Sequence, residues 1–151
     1  MKENLYDESC YSTILARINN LNASSIPIWG KMSIAQMLAH CATVLDTYNG
    51  DLPFGKVNWI ARLFKKMVYQ VVVGDKPYGK GGPTLPQFKI VEDKEFHHEK
   101  ERLLTALEKF YTTDEQVAAR LKHPLFGKLS RPERGWAMYK HLNHHLEQFG
   151  V

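Results

Sequence analysis

The residues best suited to chemistry are histidines in one stretch near the C-terminus, His141, His144 and His145. His141 and His145 are four residues apart, so on a helix their imidazoles lie one turn apart on the same face. Two imidazoles at this spacing can bind one transition metal ion. Around the helix, both lie at the edge of the apolar arc, whereas His144 lies further toward solvent. The pair His141 and His145 is therefore the first candidate for a metal site.

A metal site needs a third ligand, and His40 is the candidate. It lies at the edge of the buried arc of an earlier predicted helix, beside Met37 and Val44. It therefore has the same relation to the core as the histidine pair, and the three imidazoles converge if the two helices are neighbours. The alternative is that each histidine is simply hydrogen-bonded within the core edge. His97 and His98 stand among glutamates and are predicted to be solvated.

Helical periodicity accounts for most of the chain, and there is no convincing alternating strand. Capping boxes, in which a serine is followed three residues later by Gln or Glu, begin two helices at Ser33 and Ser130. The predicted helices are residues 5–22, 33–49, 57–73, 92–111 and 130–148, with a short helical turn at 114–122. An all-α bundle of four long helices plus one extra helix follows.

The predicted helix at 57–73 is strongly apolar along two rows and basic on its other side, which carries Arg62, Lys65 and Lys66. We expect such a helix to pack or to form a dimer interface, with a membrane surface as the less expected alternative. The segment that follows, residues 74–86, is rich in glycine and proline and is predicted to be a loop. It acts either as a simple connector or as a lid.

Length and composition suit one domain, residues 1–151, because 151 residues with 44% hydrophobic content can enclose a core. The net charge is +4, but the basic residues are spread along the chain, so no nucleic-acid partner is expected. Cys10 and Cys41 fall in apolar helical patterns, which favours buried free thiols in a cytoplasmic protein. Neither a signal peptide nor a membrane-spanning stretch is expected.

Two blocks of sequence resemble a known superfamily. The first is W-G-K-M-S-I-A-Q-M-L-A-H-C, which contains His40, and the second is H-P-L-F-G-K-L-S followed by W-x-M-Y-K-H-L-N-H-H-L-E-Q-F. Together they resemble the DinB-like (YfiT-like) superfamily of four-helix bundles, which are regarded as metalloenzymes, and within it a bacterial subfamily of unknown function. The resemblance covers nearly the whole chain. It implies an up-down-down-up bundle with the extra amphipathic helix in the long connection between helices 2 and 3.

The resemblance also implies a metal site made by one histidine of the second helix and an H-x-x-x-H pair of the last helix. In this chain these are His40, His141 and His145. Many relatives continue the motif as H-R-G-Q, whereas this chain has H-L-E-Q and lacks the Arg and the Gly. Relatives of known activity are mostly thiol-dependent transferases or isomerases that use low-molecular-weight thiols such as bacillithiol or mycothiol. The expected cofactor is zinc or nickel, and the expected partner is a small-molecule substrate.

Three neutral imidazoles leave an open position on such an ion, where a water or a thiol loses its proton near neutral pH. This favours a metal-dependent transferase, hydrolase or isomerase in which a thiolate attacks an electrophile. Cys41 follows His40 in the sequence but points about 100° away from it, into the core. Gln36 and Gln148 could orient a ligand or a water. The alternative function is a non-catalytic binding or homodimeric assembly protein with a vestigial site.

Overall fold

A computed structural model describes residues 2–57, 59–82 and 84–151, without the side chain of Ala61. Within these residues the secondary structure is helical, and the only bridge between extended residues is the isolated pair His123 and Gly127. The helices are α1 (Glu8–Asn20), α2 (Ile34–Asn49), α3 (Trp59–Leu63), α4 (Lys65–Val73), α5 (Phe96–Thr112), α6 (Glu115–Arg120) and α7 (Arg131–Gln148). A short 3-10 helix, Pro86–Phe88, lies between α4 and α5. The all-α class is thereby confirmed, and the arrangement is compatible with a four-helix bundle.

Both capping boxes predicted from the sequence are present. The Ser33 side chain accepts a hydrogen bond from the backbone of Gln36, whose side chain accepts one from the backbone of Ser33. Ser130 and Glu133 form the same reciprocal pair at the start of α7. Each pair satisfies N–H groups that have no partner within the first helical turn. The two helices that carry the candidate histidines therefore start where their local sequence predicts.

Three other helices start later than predicted, and side-chain caps fix the start of two of them. Helix α1 begins at Glu8, without a side-chain cap, where residues 5–22 were expected to be helical, and α6 is capped by the Asp114 side chain. Helix α5 begins at Phe96 instead of residue 92. Its start is set by the Glu95 carboxylate, which accepts hydrogen bonds from the first backbone N–H groups of the helix. These differences leave the faces of the helices unchanged.

The prediction of a single helix at residues 57–73 is wrong, because the chain forms two helices there. Helices α3 and α4 meet at Phe64, whose ψ angle of 16° interrupts the helix, and residue 58 lies outside the described residues. Helix α4 packs on α7 through its C-terminal end, where Val73 is buried. One of the two predicted apolar rows consists of Trp59, Leu63, Met67 and Val71, and all four side chains are exposed. Helix stability depends mainly on packing, and this row has little of it. Among the described residues, no helix has the length and apolar character needed to span a membrane.

The hydrophobic core lies between α1, α2, α5 and α7, which each contribute apolar side chains three or four residues apart. Its largest fully buried side chains include Leu5, Ile14, Ile18, Met37, Leu38, Leu45, Leu103, Leu107, Phe110, Leu142 and Leu146. Cys41 is buried as expected, whereas Cys10 is only partly buried. The histidine-bearing faces of α2 and α7 border this core.

Helices α2 and α5 run side by side in the same direction. Gln36, in the first turn of α2, donates to the backbone carbonyl of Glu92 just before α5. At the other end of α2, Asn49 donates to the carbonyl of Ala106, near the middle of α5. Since both pairs advance together along the two helices, the helices are parallel.

Helix α7 runs opposite to α2 and in the same direction as α1. Arg134, in the first turns of α7, donates to the carbonyl of Tyr48 near the end of α2. It also donates to the hydroxyl of Tyr6, just ahead of α1. Arg17, near the end of α1, donates to Asn143, near the end of α7. This arrangement places the middle of α2 beside the second half of α7, where the candidate ligands lie.

Candidate metal centre

The three histidines predicted from the sequence converge between α2 and α7. His40 lies on α2, and His141 and His145 lie on α7. One ring nitrogen from each lies within 4.8 Å of the others, and the ring centroids are 4.7 to 5.0 Å apart. His40 is 4% and His145 8% exposed to solvent, and His141 is partly buried. In the part of the chain that the structure describes, no other group of His, Cys, Asp and Glu meets in this way.

The orientation of the His40 ring is fixed by the backbone. Its Nδ1 atom lies 2.8 Å from the carbonyl oxygen of Phe88. A carbonyl only accepts hydrogen bonds, so His40 donates its Nδ1–H and its Nε2 atom keeps a free lone pair. That Nε2 atom faces the cluster, 3.0 Å from Nε2 of His141. His40 is therefore held in the tautomer and orientation of a metal ligand.

The His145 ring is fixed in the same sense by a side chain. Its Nδ1 atom lies 2.9 Å from Oε1 of Gln148. The Gln148 amide cannot be the other way round, because its Nε2 atom donates to the carbonyl of Trp29 at 2.8 Å. His145 therefore donates Nδ1–H and keeps the lone pair of Nε2. Gly30 makes room for the Gln148 side chain, since a Cβ at residue 30 would lie 2.6 Å from the Gln148 amide nitrogen.

His141 differs from the other two rings because its Nδ1 atom has no hydrogen-bond partner among the described residues. Since His40 Nε2 carries no proton, the 3.0 Å contact between the two Nε2 atoms requires His141 to donate. The Nδ1 atom of His141 is then an acceptor, and it is buried without a hydrogen-bond partner among the described residues. A buried polar group left in this state costs about 1–3 kcal/mol. The three imidazoles alone therefore do not satisfy one another.

All three rings are held in the neutral form. Burial, with His40 close by, lowers the pKa of His145 to about 3. Burial and the neighbouring His145 and His40 lower the pKa of His141 well below its usual value. Burial also lowers the pKa of His40, although the Phe88 carbonyl opposes that effect. Since a metal ion binds the neutral imidazole, the cluster is in the ligand form near pH 7.

The segment between α4 and α5 covers the outer side of the cluster. The Tyr78 ring packs edge-on against His141 and His144, with centroids 6.3 and 5.7 Å away. The Phe88 ring lies edge-on to His40 at 6.4 Å. Residues 74–86 therefore do more than connect two helices, since they and the adjoining turn shield the histidines. Residue 83 lies outside the described residues.

Lys140 anchors the start of this covering segment. Its Nζ atom donates to the carbonyls of Val71, Gly74 and Lys76 at 2.6, 2.8 and 3.1 Å. The first two of these carbonyls lie at the end of α4, where backbone acceptors have no partner within the helix and attract a cation, and the third lies just beyond it. The same ammonium lies 4.7 Å from the centre of the Tyr78 ring. A residue next to a candidate ligand on α7 thus holds the cover in place.

The remaining histidines lie outside the cluster. His144 is partly buried and faces Trp29, with ring centroids 5.8 Å apart. His97 and His98 are exposed at the start of α5, as their charged surroundings predict. His123 forms part of the turn that leads toward α7.

Sequence reasoning missed most of the groups that orient the ligands. Phe88 and Trp29 act through backbone carbonyls, which leave no side-chain signal in a sequence. Gln148 was anticipated, but Gln36 instead completes a capping box and binds a backbone carbonyl before α5. Tyr78 could have been found, since a lone aromatic residue in a glycine-rich and proline-rich loop has no core to enter.

Comparison with known proteins extends these observations. Neither the search of curated proteins nor the search of solved structures found a significant match. A family model described as "Protein of unknown function (DUF1569)" matches residues 5–150, a range that includes all three histidines. The chain therefore belongs to the DUF1569 family of proteins of unknown function.

Proposed function

We propose that the protein is a metal-dependent enzyme in which His40, His141 and His145 bind one zinc or nickel ion. The observation that carries this proposal is the convergence of three neutral imidazoles, two of which have Nδ1–H engaged and Nε2 free. Metal–imidazole bonds of about 2.0–2.1 Å allow two ligands of one ion to lie up to about 4 Å apart. Nitrogens already within 4.8 Å need only small ring movements to share an ion.

The chemistry follows from the donor set and from the groups around it. Zinc or nickel on three imidazoles supplies an open position at which a water or thiol loses its proton near neutral pH. The Phe88 carbonyl and Gln148 hold two of the rings, and Tyr78 limits the access of bulk water to the cluster. We propose transfer of a low-molecular-weight thiol to a small electrophile, or a related hydrolysis or isomerisation.

The thiol in this reaction is an external one, because neither cysteine of the chain is a suitable nucleophile. Burial raises the pKa of Cys41 far above neutrality, and Cys41 is only 1% exposed. Burial also raises the pKa of Cys10 to about 11. Since the thiolate is the reactive form, both side chains are inert near pH 7.

We also propose that the chain is a member of the DinB-like superfamily, with an up-down-down-up four-helix bundle. Helices α1, α2, α5 and α7 supply the four long elements, and α3 and α4 lie in the connection between the second and third of them. The directions of these helices support the proposal, since α2 and α5 are parallel and α7 is antiparallel to α2. The positions of the histidines on the second and last elements support it further.

The test of the metal site is metal content by plasma mass spectrometry on untagged protein. We expect about one zinc or nickel ion per chain in the wild type. The ion should be lost in His145→Ala and retained in His97→Ala, a matched change at an exposed histidine. Wild-type protein that takes up neither metal after reconstitution would contradict the proposal. Protein that binds the metal but catalyses no reaction between thiols and electrophiles would support the metal site and refute the proposed enzymatic activity.

The second candidate function is a non-catalytic binding or homodimeric assembly protein. The observation that favours it is the exposed apolar row on α3 and α4, where Trp59 and Leu63 are more than two-thirds exposed. In that case the histidines would be dispensable, and assembly would depend on this row. Analytical ultracentrifugation of wild type and Met67→Ser, beside the metal measurements, separates the two functions.

A further inference from the structure

Helices α3 and α4 present large apolar side chains to solvent. Trp59 is 73% exposed, Leu63 71% and Met67 60%, and Ile60 and Phe64 are each 48% exposed. These five residues are called the α3–α4 ridge below. Monomeric domains rarely expose a contiguous set of this kind, and such a set marks a contact with a protein or a membrane.

The α3–α4 ridge is interspersed with cations and has no acidic residue within it. Residues 52–74 contain no Asp or Glu. The two carboxylates that flank this segment are paired, Asp51 with Lys109 and Asp75 with Lys2. The exposed cations interspersed in the ridge are Arg62, Lys65 and Lys66. The surface therefore combines apolar side chains with positive charge.

Two grooves that are wide open to solvent lie along the ridge. Leu63, Phe64 and Met67 line one of about 380 Å³, and Leu63 also lines the other, of about 480 Å³. Neither groove encloses a deep pocket. A partner that inserted one anchoring side chain would need a pocket, whereas a deformable apolar medium can accept projecting side chains.

Charge argues against a second copy of this chain as the occupant. In a two-fold symmetric dimer the same patch meets itself. Arg62, Lys65 and Lys66 of both copies would then approach one another without a carboxylate from the ridge between them, and like charges across an interface are destabilising. Anionic lipid headgroups instead pair with these cations, while Trp, Leu and Met side chains enter the boundary between headgroups and acyl chains.

We propose that the α3–α4 ridge binds the surface of a bilayer that contains anionic phospholipids. Trp59, Leu63 and Met67 insert at the headgroup boundary, and Arg62, Lys65 and Lys66 lie against lipid phosphates. This attachment is peripheral and depends on no residue of the histidine cluster.

The test uses the full chain and sedimentation with vesicles. One set contains phosphatidylcholine alone, and the other contains phosphatidylcholine with about 30% phosphatidylserine. We expect the protein to sediment with the second set only and to be released by high salt, which screens the lipid charge. Tryptophan fluorescence should shift to shorter wavelength on binding, and Trp59→Phe should abolish most of that shift.

Variants of the ridge separate specific from general binding. The double changes Leu63→Ser with Met67→Ser, and Lys65→Gln with Lys66→Gln, should each weaken binding about tenfold or more. All four side chains are exposed, so the fold should survive, which circular dichroism checks. Ile26→Ser is the matched control, since Ile26 is 80% exposed on the connection between α1 and α2. It should bind like the wild type.

Three outcomes would overturn the proposal. One is wild-type protein that fails to sediment with the anionic vesicles. Another is binding that is equal for both vesicle types or unaffected by the ridge variants. The third is a wild-type dimer that becomes monomeric in Leu63→Ser with Met67→Ser, because the ridge would then be an interface between two copies.

Discussion

The Nδ1–H of His40 is donated to the backbone carbonyl of Phe88 across 2.8 Å, which links a candidate metal ligand to the segment that covers it. The position of that segment and the tautomer of the ligand therefore depend on each other. If the turn at Pro86–Phe88 moves away, His40 loses the acceptor that keeps Nε2 free. Metal binding and closure of the segment should consequently favour one another.

Removing the His40 side chain should loosen the turn at residues 85–89 even without metal. The Phe88 carbonyl loses its partner in His40→Ala, and a hydrogen bond of this kind contributes about 1 kcal/mol. We expect amide exchange in this turn to accelerate about fivefold, measured by mass spectrometry in the presence of a chelator. His141→Ala is the matched control, because His141 contacts His40 and not the Phe88 carbonyl. Equal exchange in the two variants would contradict the link.

Replacing Gln148 with leucine should weaken metal binding without unfolding the protein. The change removes the acceptor that orients His145, and the loss of such a partner typically costs 10–100-fold in affinity. Competition with a chromophoric chelator measures the effect. Gln116→Leu, the same change at an exposed position of α6, should bind metal like the wild type. If both variants retain wild-type affinity, Gln148 has no orienting role.

Gly30→Ala should lower both stability and metal affinity, for two separate reasons. The φ angle of +84° at Gly30 is left-handed, which costs a residue with a Cβ about 1–2 kcal/mol. The new Cβ would also lie 2.6 Å from Nε2 of Gln148 and displace it from His145.

Gly127→Ala separates these two effects of the Gly30 change. Its φ angle is +77°, but a Cβ there meets nothing within 4 Å. We expect a similar loss of unfolding free energy in urea for both variants and weaker metal binding for Gly30→Ala alone. Full metal affinity in Gly30→Ala would refute the proposed role of Gln148 in orienting His145.

His123 should make stability fall as the pH drops below neutrality. Its Nδ1 atom accepts hydrogen bonds from the backbone N–H groups of Leu125 and Phe126. Burial, with Arg134 nearby, lowers its pKa to about 4, whereas the unfolded chain takes up the proton near pH 6.5. This contribution is complete above about pH 6.5 and is lost as the pH falls toward 4.

His123→Asn preserves an acceptor for the turn but does not titrate. Its unfolding free energy in urea, measured with a chelator present, should therefore fall less between pH 7 and 4.5 than that of the wild type. His98→Asn, at an exposed position, should keep the wild-type slope. Parallel pH profiles for wild type and His123→Asn would show that the proton is not excluded by the fold.

The helices that carry the candidate site were predictable because local interactions determine them. Ser33 and Ser130 mark the starts of α2 and α7, and the apolar arcs of both helices fix the faces that enter the core. The histidines stand at the edges of those arcs, so their convergence required only that the two helices be neighbours. In the structure α2 and α7 do pack against each other, and the His40 and His141 rings are in contact.

The parts that sequence could not predict depend on the path of the chain between helices. The periodic apolar rows of residues 57–73 predicted one continuous helix for packing or dimer contact, but only the second half of α4 packs against α7, and the helix breaks at Phe64. His40 and Gln148 donate hydrogen bonds to the backbone carbonyls of Phe88 and Trp29, and any residue could provide such a carbonyl. Their positions follow from how loops return across the bundle, which no periodicity encodes.

The parallel course of α2 and α5 has a consequence for how this architecture can change. Two parallel neighbours require the chain to travel back along the full length of α2, about 24 Å for its 16 residues. An extended chain covers that distance in about seven residues, so residues 51–95 contain far more than the return path needs. The part of this surplus that includes α3 and the start of α4 is largely exposed and lies outside the segment that carries Tyr78 and Phe88. It is therefore the region where insertions, deletions and new surfaces can arise without disturbing the histidines, and where close relatives should differ most in length.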